Sequence, residues 1–216
     1  MIYYLSILFF KFYFFFLLDI TVTGIENVPD KGPAILVSNH PSLLDGPLLA
    51  ASVKRRLYAY AKKSVFNSRI KLLYLKGMGG IPVELGKFDR QFMTETKRRL
   101  DDEKLLLIFP EGKINSNSEP GEFNNSFVKL ALRFNVTIIP VTIRGSEKSL
   151  RKGQKFPRPA KVEIIYGEPL KLDYGKGRLT KDEVKQAVDK VKKMIQKNLG
   201  REYQNGKECR AEKKAT

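Results

Sequence analysis

A chain of 216 residues, 42% of them hydrophobic, has the material for one domain with a substantial core, which excludes a second full domain. Forty Lys and Arg against 23 Asp and Glu give a formal charge of +17, which favours anionic partners (lipid headgroups, nucleic acid or acidic carrier proteins) without choosing among them. A single cysteine, Cys209, excludes an intrachain disulfide, and one histidine with one cysteine does not make the usual metal-ligand cluster.

The first element, MIYYLSILFFKFYFFFLL over residues 1–18, is almost wholly apolar and aromatic with Lys11 near its middle. That length is marginal for a hydrocarbon core of about 30 Å. The segment lacks the basic start and small-residue cleavage site of a secretory signal, so its removal is not expected. It reads as a membrane-associating helical segment lying in the interface, its rings at the acyl boundary and Lys11 snorkelling toward phosphates. A single span and a buried core helix are the alternatives.

From Asp19 onward, short apolar runs are separated by turn residues. ITVTGIENVP predicts a strand or extended stretch ending at Pro29, and KGPAILVSNH a turn and then a buried strand over 34–38, leaving His40 at its carboxyl end. PLLAASVKRR predicts a helix from near Pro47, and GGIPVEL a short strand that Pro82 assigns to an edge or bulge. FDRQFMTETKRRL predicts a helix with Phe92, Met93 and Leu100 inward, and KLLLI the clearest buried strand. NNSFVKLALRF places Phe127, Leu130, Ala131 and Phe134 on one helical face, ahead of the strand VTIIPVTI.

RKGQKFPRPAKV then reads as a basic, proline-containing loop and KVEIIYGEPL as the last strand, turning at Gly167. Thr180 and Glu183 fit a capping box opening a helix with Val184, Val188, Val191, Ile195 and Leu199 as its apolar stripe, ended by Gly200. Residues 201–216, with Cys209, read as a basic, disordered tail. The expected fold is therefore α/β: a single layered domain over 19–200 with a central, mostly buried sheet flanked by helices, preceded by the apolar segment and containing no internal repeat.

In open α/β sheets, sites collect beyond the carboxyl ends of strands, where NHPSLLDG follows AILVS and FPEGKIN follows KLLLI. A neutral imidazole abstracts a proton well near pH 7, and a carboxylate on its other nitrogen fixes the tautomer and stabilises the imidazolium. His40 and Asp45 suit that pairing if the turn folds back, although the same spacing suits a surface histidine near a helix start. Ser42 reads as a turn or capping residue, since no G-x-S-x-G elbow surrounds it. Backbone N–H groups around Gly46 or Gly112 are candidate oxyanion donors. KGMGG lacks the lysine and hydroxyl ending of a P-loop and reads as a turn.

NHPSLLD, FPEG and IIPV, in this order and spacing, resemble the glycerolipid acyltransferase family, which includes 1-acyl-sn-glycerol-3-phosphate acyltransferases. His40 and Asp45 match its first motif, Phe109, Pro110, Glu111 and Gly112 its third, and Ile139, Pro140 and Val141 its fourth; the likeness spans residues 20 to 170. The resemblance implies transfer of a fatty acyl group from a thioester, carried by coenzyme A or an acyl carrier protein, to a lysophospholipid hydroxyl. With 1-acyl-sn-glycerol-3-phosphate as acceptor the product is phosphatidic acid. It further implies that the His-Asp pair deprotonates the acceptor for direct attack, that Glu111 and Gly112 belong to the acceptor site, and that no cofactor beyond the thioester is needed. A monotopic or peripheral membrane protein is then expected, its catalytic domain on the cytoplasmic side.

Two departures bear on the acceptor. In the second motif Gly79, Gly80, Ile81, Pro82 and Val83 lead into Glu84 and Leu85, where the family carries an arginine for the acceptor phosphate. In the third, Lys113, Ile114 and Asn115 stand in place of Thr, Arg and Ser. Either the phosphate is held differently, by Lys113 with Lys62, Lys63, Lys87 or Arg90 from neighbouring loops, or the acceptor is another lysolipid. A non-enzymatic binder of nucleic acid or anionic membrane is the competing class. Nucleic acid is not expected, because the aromatics concentrate at the N-terminus instead of interleaving with basic residues.

Overall fold

The computed structural model describes residues 2–84, 90–117, 119–151, 153–172 and 180–200. The expectations for Leu85, Lys87, Cys209 and the tail over 201–216 lie outside the described residues. The elements run α1 (Ile2–Leu17), β1 (Leu18–Thr23), β2 (Ala34–Ser38), α2 (Asp45–Ser52), β3 (Leu57–Lys62), α3 (Arg69–Gly77) and β4 (Gly80–Val83). They continue as α4 (Arg90–Asp101), β5 (Leu105–Ile108), α5 (Ser126–Phe134), β6 (Thr137–Arg144), α6 (Ser146–Ser149), β7 (Ala160–Tyr166) and α7 (Lys181–Leu199).

The strands form one seven-stranded sheet in the order β1-β7-β6-β2-β5-β3-β4. Every pairing is parallel except β6 with β7, so the sheet is mixed. Continuous apolar runs suit strands covered on both faces. In β2 and β5, Ala34, Leu36, Leu105 and Leu107 pack on the face that carries α1 and α2, while Ile35, Val37, Leu106 and Ile108 pack on the face covered by α4, α5 and α7. Pro82 sits in the edge strand β4, as a residue without an N–H should. Beta strands 2 to 6 share one direction, so their carboxyl ends line one rim, and antiparallel β7 brings its own start and that of β1 to that rim.

One boundary shifts, two elements are added, and one alternative for the first segment is set aside. The helix expected from near Pro47 begins at Asp45 and stops at Ser52, because Val53 is already extended (φ −96°, ψ 152°). Sequence reading assigned no element to β3 or α3. In β3 two alanines alternate with tyrosines between arginines and lysines, and α3 leaves Ile70, Leu73 and Tyr74 exposed, so neither shows a buried stripe. The apolar segment is also not a core helix: α1 buries Tyr3 and Phe14 but exposes Leu8, Phe9, Phe12, Phe15 and Phe16. Its 16 residues span about 24 Å at 1.5 Å each, and no described helix is long and apolar enough to cross a membrane. The capping box of α7 is formed as expected, with Val188, Val191 and Ile195 buried.

Candidate active site

Where β2 ends, Asn39 donates to the Ile143 carbonyl (2.7 Å) and accepts from the Ile143 N–H (2.8 Å), which ties the departing chain to β6. The chain then folds back through a turn. Ser42 donates its hydroxyl to the Leu150 carbonyl (2.8 Å) and its N–H to Asp45 Oδ2 (2.7 Å), so this serine holds the turn and is not poised as a nucleophile.

The turn closes His40 onto Asp45, with Nδ1 2.8 Å from Oδ2. Asp45 is completely buried at the start of α2, and its second oxygen accepts from the Ser146 hydroxyl at 2.7 Å. Burial pushes the Asp45 carboxyl above its ordinary range, opposed by the hydrogen bonds from His40, Ser146 and the Ser42 N–H. A helix N-terminus also favours negative charge there. Ser146 arrives from β6 through Gly145, whose φ of +86° turns the chain sharply at the strand end and aims the hydroxyl back at Asp45.

His40 is 18% exposed at its side chain, and among the described residues nothing hydrogen-bonds Nε2. The ring stacks on Phe109, with centroids 3.9 Å apart and planes 13° from parallel. Imidazole orientation is thus set by a carboxylate at one nitrogen and an aromatic face against the plane, leaving Nε2 for a substrate proton.

The loop after β5 straps this arrangement down. Glu111 accepts from the His40 N–H at Oε1 (3.1 Å), and from Asn115 Nδ2 (2.9 Å) and the Gly121 N–H (2.8 Å) at Oε2. Both of its oxygens therefore face protein donors. The Asn115 N–H donates to the His40 carbonyl (2.8 Å) and Ser116 Oγ to the Pro41 carbonyl (2.9 Å). Gly112 closes a tight turn at φ +64°, donating its N–H to the Phe109 carbonyl (3.0 Å). Of the two backbone donors considered for an oxyanion, Gly112 is thereby committed, and Gly46 in the first turn of α2 is the one left.

Lys113 is exposed beside this turn, Lys63 opens the turn after β3, and Arg90 opens α4 after β4. Topology brings all three to the rim that carries His40, β3 being two strands and β4 three strands from β2, or about 10 and 14 Å. Among the described residues, none of the three makes a hydrogen bond or ion pair with His40 or Asp45. Glu84, the first residue after β4, lies on the same rim.

A family profile described as Acyltransferase matches residues 19–144, which include the His40–Asp45 turn and the Phe109–Gly112 turn. The chain belongs to the acyltransferase family. Relatives of this acyltransferase include a 1-acyl-sn-glycerol-3-phosphate acyltransferase of Borreliella burgdorferi, 27% identical over 185 residues that make up 81% of this chain and 74% of that one. An N-acylphosphatidylethanolamine synthase of Arabidopsis thaliana is 27% identical over 175 residues, 72% of this chain and 62% of that one. The crystal structure of the 1-acyl-sn-glycerophosphate acyltransferase PlsC of Thermotoga maritima matches with a TM-score of 0.74 at 26% identity, over 92% of the acyltransferase and 80% of that chain. The likeness read from NHPSLLD, FPEG and IIPV is therefore family membership, and the protein is an acyltransferase enzyme.

Sequence reading missed three residues of the site. Ser146 lies just beyond the region the family profile matches and carries no local signal. Asn115, noted only as a departure from the motif, clamps Glu111. Phe109 was matched as a motif letter with no role attached.

Proposed function

We propose that this acyltransferase moves a fatty acyl group from a thioester of coenzyme A or acyl carrier protein to the free hydroxyl of a lysophospholipid at a membrane surface. The acceptor is 1-acyl-sn-glycerol-3-phosphate and the product phosphatidic acid. The observation that carries this reading is the His40–Asp45–Ser146 chain of hydrogen bonds, which leaves Nε2 open on the rim.

In the reaction, Nε2 takes the hydroxyl proton as the acceptor oxygen attacks the thioester carbonyl, and Asp45 stabilises the imidazolium. Collapse of the tetrahedral intermediate breaks the carbon–sulfur bond, and the leaving thiolate takes the proton back from Nε2. An ester and a free thiol result, with no acyl-enzyme, in keeping with the committed Ser42 hydroxyl. Glu111 acts here by positioning, holding the His40 backbone through its N–H. Lys113, Lys63 and Arg90 face the acceptor phosphate as separate charges in place of a bidentate arginine.

Two further features support the reading. An open groove of about 900 Å³ between α1, α2, β1 and β7, lined by Phe14, Leu17, Leu48 and Ile164 and also by Lys11 and Lys161, is of a size for an acyl chain. The exposed aromatic face of α1 suits an interfacial helix; the catalytic domain is taken to lie on the cytoplasmic side, where acyl thioester donors would reach it.

A second reading keeps the chemistry and changes the acceptor to a lipid with an amine or a different headgroup. Glu84 at the arginine position and the N-acylphosphatidylethanolamine synthase relative favour it. Thiol release from acyl-CoA and from acyl carrier protein, measured with lysophosphatidate and with lysophosphatidylethanolamine, separates the two. Turnover at least tenfold higher with lysophosphatidate is expected; turnover only with the amine-bearing lipid would move the assignment to the second reading.

A further inference from the structure

Outside α1, the exposed large apolar side chains among the described residues are Leu43 and Phe156, which stand apart, and four in one stretch: Val65 at 44%, Ile70 at 81%, Leu73 at 69% and Tyr74 at 42% exposed. Ile70, Leu73 and Tyr74 are spaced to share one face of α3, whose opposite face turns half-buried Leu72 and Leu75 to the protein. The helix is made in earnest: Ser68 caps it, accepting from the Lys71 N–H at 3.3 Å. An apolar stripe facing solvent on a capped helix needs a partner.

Charge identifies that partner. Lys71 flanks the stripe on one side and Arg69 and Lys76 on the other, all exposed, while Lys62 and Lys63 stand at the start of the preceding turn. No Asp or Glu occurs between Asp45 and Glu84, a stretch that holds eight Lys and Arg. A protein-binding patch is ordinarily rimmed by mixed polar groups, whereas an apolar stripe bordered by cations alone matches the acyl boundary beneath anionic headgroups.

Position supplies the second argument. The carboxyl end of α3 abuts the start of α1, where a Cβ added at Gly77 would lie 3.3 Å from Ile2 Cγ2. Exposed Ile2 of α1 thus adjoins the end of α3 that carries Tyr74. At its other end this element begins directly after β3, on the rim that bears His40 and Glu111.

We propose that α3 and the turn before it form a second membrane-contact element, with Val65, Ile70, Leu73 and Tyr74 entering an anionic leaflet and Arg69, Lys71 and Lys76 meeting its headgroups. This rests on the reading that α1 lies in the same interface. Attachment at two places, one of them opening at the active-site rim, fixes the tilt of the domain and holds that rim at the leaflet, where a lysolipid can enter without leaving the bilayer.

The test is flotation of the full chain with phosphatidylcholine vesicles and with vesicles containing phosphatidylglycerol. Three variants are compared with wild type: Ile70→Ser with Leu73→Ser; Arg69→Gln with Lys71→Gln and Lys76→Gln; and, in α1, Leu8→Ser with Phe12→Ser. Thermal melting and turnover of a water-soluble short-chain substrate pair monitor the fold, and both should stay close to wild type because the altered side chains are exposed. The expected result is at least a tenfold loss of vesicle partitioning in the first variant, and loss of the preference for anionic vesicles in the second. Wild-type partitioning in both α3 variants, with the α1 variant released, would overturn this inference and leave the α1 reading standing. Release of the α3 variants alone would uphold it and sink the α1 reading, and failure of wild type to bind any vesicle would sink both. A dimer converted to monomer by Ile70→Ser with Leu73→Ser, at unchanged vesicle binding, would assign the stripe to a second copy of the chain.

Discussion

Ser146 donates its hydroxyl to Asp45 across 101 residues of sequence, 2.7 Å away in a place neither side chain shares with solvent. The serine holds the oxygen that His40 does not use, so the carboxylate keeps one orientation. Ser146→Ala should leave that oxygen buried and unpaired, lowering stability by about 1–3 kcal/mol. With acyl-CoA and lysophosphatidate, kcat should fall about tenfold with little change in KM. Ser146→Thr, which keeps a hydroxyl, should recover part of kcat; a purely structural role would move stability alone.

Asp45→Asn separates charge from geometry. An asparagine can give its amide to Ser146 and its oxygen to His40 and the Ser42 N–H, but it cannot stabilise an imidazolium by charge, so activity should fall by about 10²–10⁴. Stability should behave differently. Burial holds the Asp45 carboxyl above its unfolded value, so as pH rises the unfolded chain gives up this proton before the folded protein does. The folded state then binds more protons, and stability contributed by the neutral form is present at low pH and lost as pH rises through the folded value. Urea unfolding from about pH 4 to about pH 8 should show wild type losing ground to Asp45→Asn as pH increases.

Glu111→Gln presents an amide group to one of the donors that the carboxylate now accepts, either the His40 N–H or the pair from Asn115 and Gly121. The cost should be about 1–3 kcal/mol of stability. Activity should drop because the His40 backbone is released, with KM for the acceptor nearly unchanged. A large rise in KM at unaltered kcat would instead assign Glu111 to direct acceptor binding.

Phe109→Leu keeps apolar bulk beside His40 but removes the parallel ring 3.9 Å away. Phe109 is only half-buried, so the smaller side chain should cost about 1–2 kcal/mol of stability. A several-fold loss in kcat is expected from an imidazole free to swing, measured at saturating donor and acceptor.

Much of this arrangement was legible in the chain. AILVS and KLLLI are strands covered on both faces, so their apolar runs need no partner to be read, and NHPSLLD and FPEG mark the turns that follow them. Spacing alone could not show that the first turn folds His40 back onto Asp45, because that depends on Ser42 binding Leu150 from a distant segment. Ser146 was invisible for the same reason: its role comes from β6 lying beside β2, a long-range pairing. The clamp on Glu111 was not legible either, since its donors come from the His40, Asn115 and Gly121 positions that only the folded loops bring together. Segments β3 and α3 escaped because short elements with exposed apolar or mixed cationic faces lack a core-facing period.

The most direct measurement is the release of thiol from acyl-CoA in the presence of lysophosphatidate by His40→Ala beside wild type, with melting temperature and vesicle partitioning recorded on the same preparations. A fall in kcat of about a thousandfold at unchanged folding and membrane partitioning is expected if Nε2 removes the acceptor proton. Turnover within tenfold of wild type would contradict the assignment of His40 as the base.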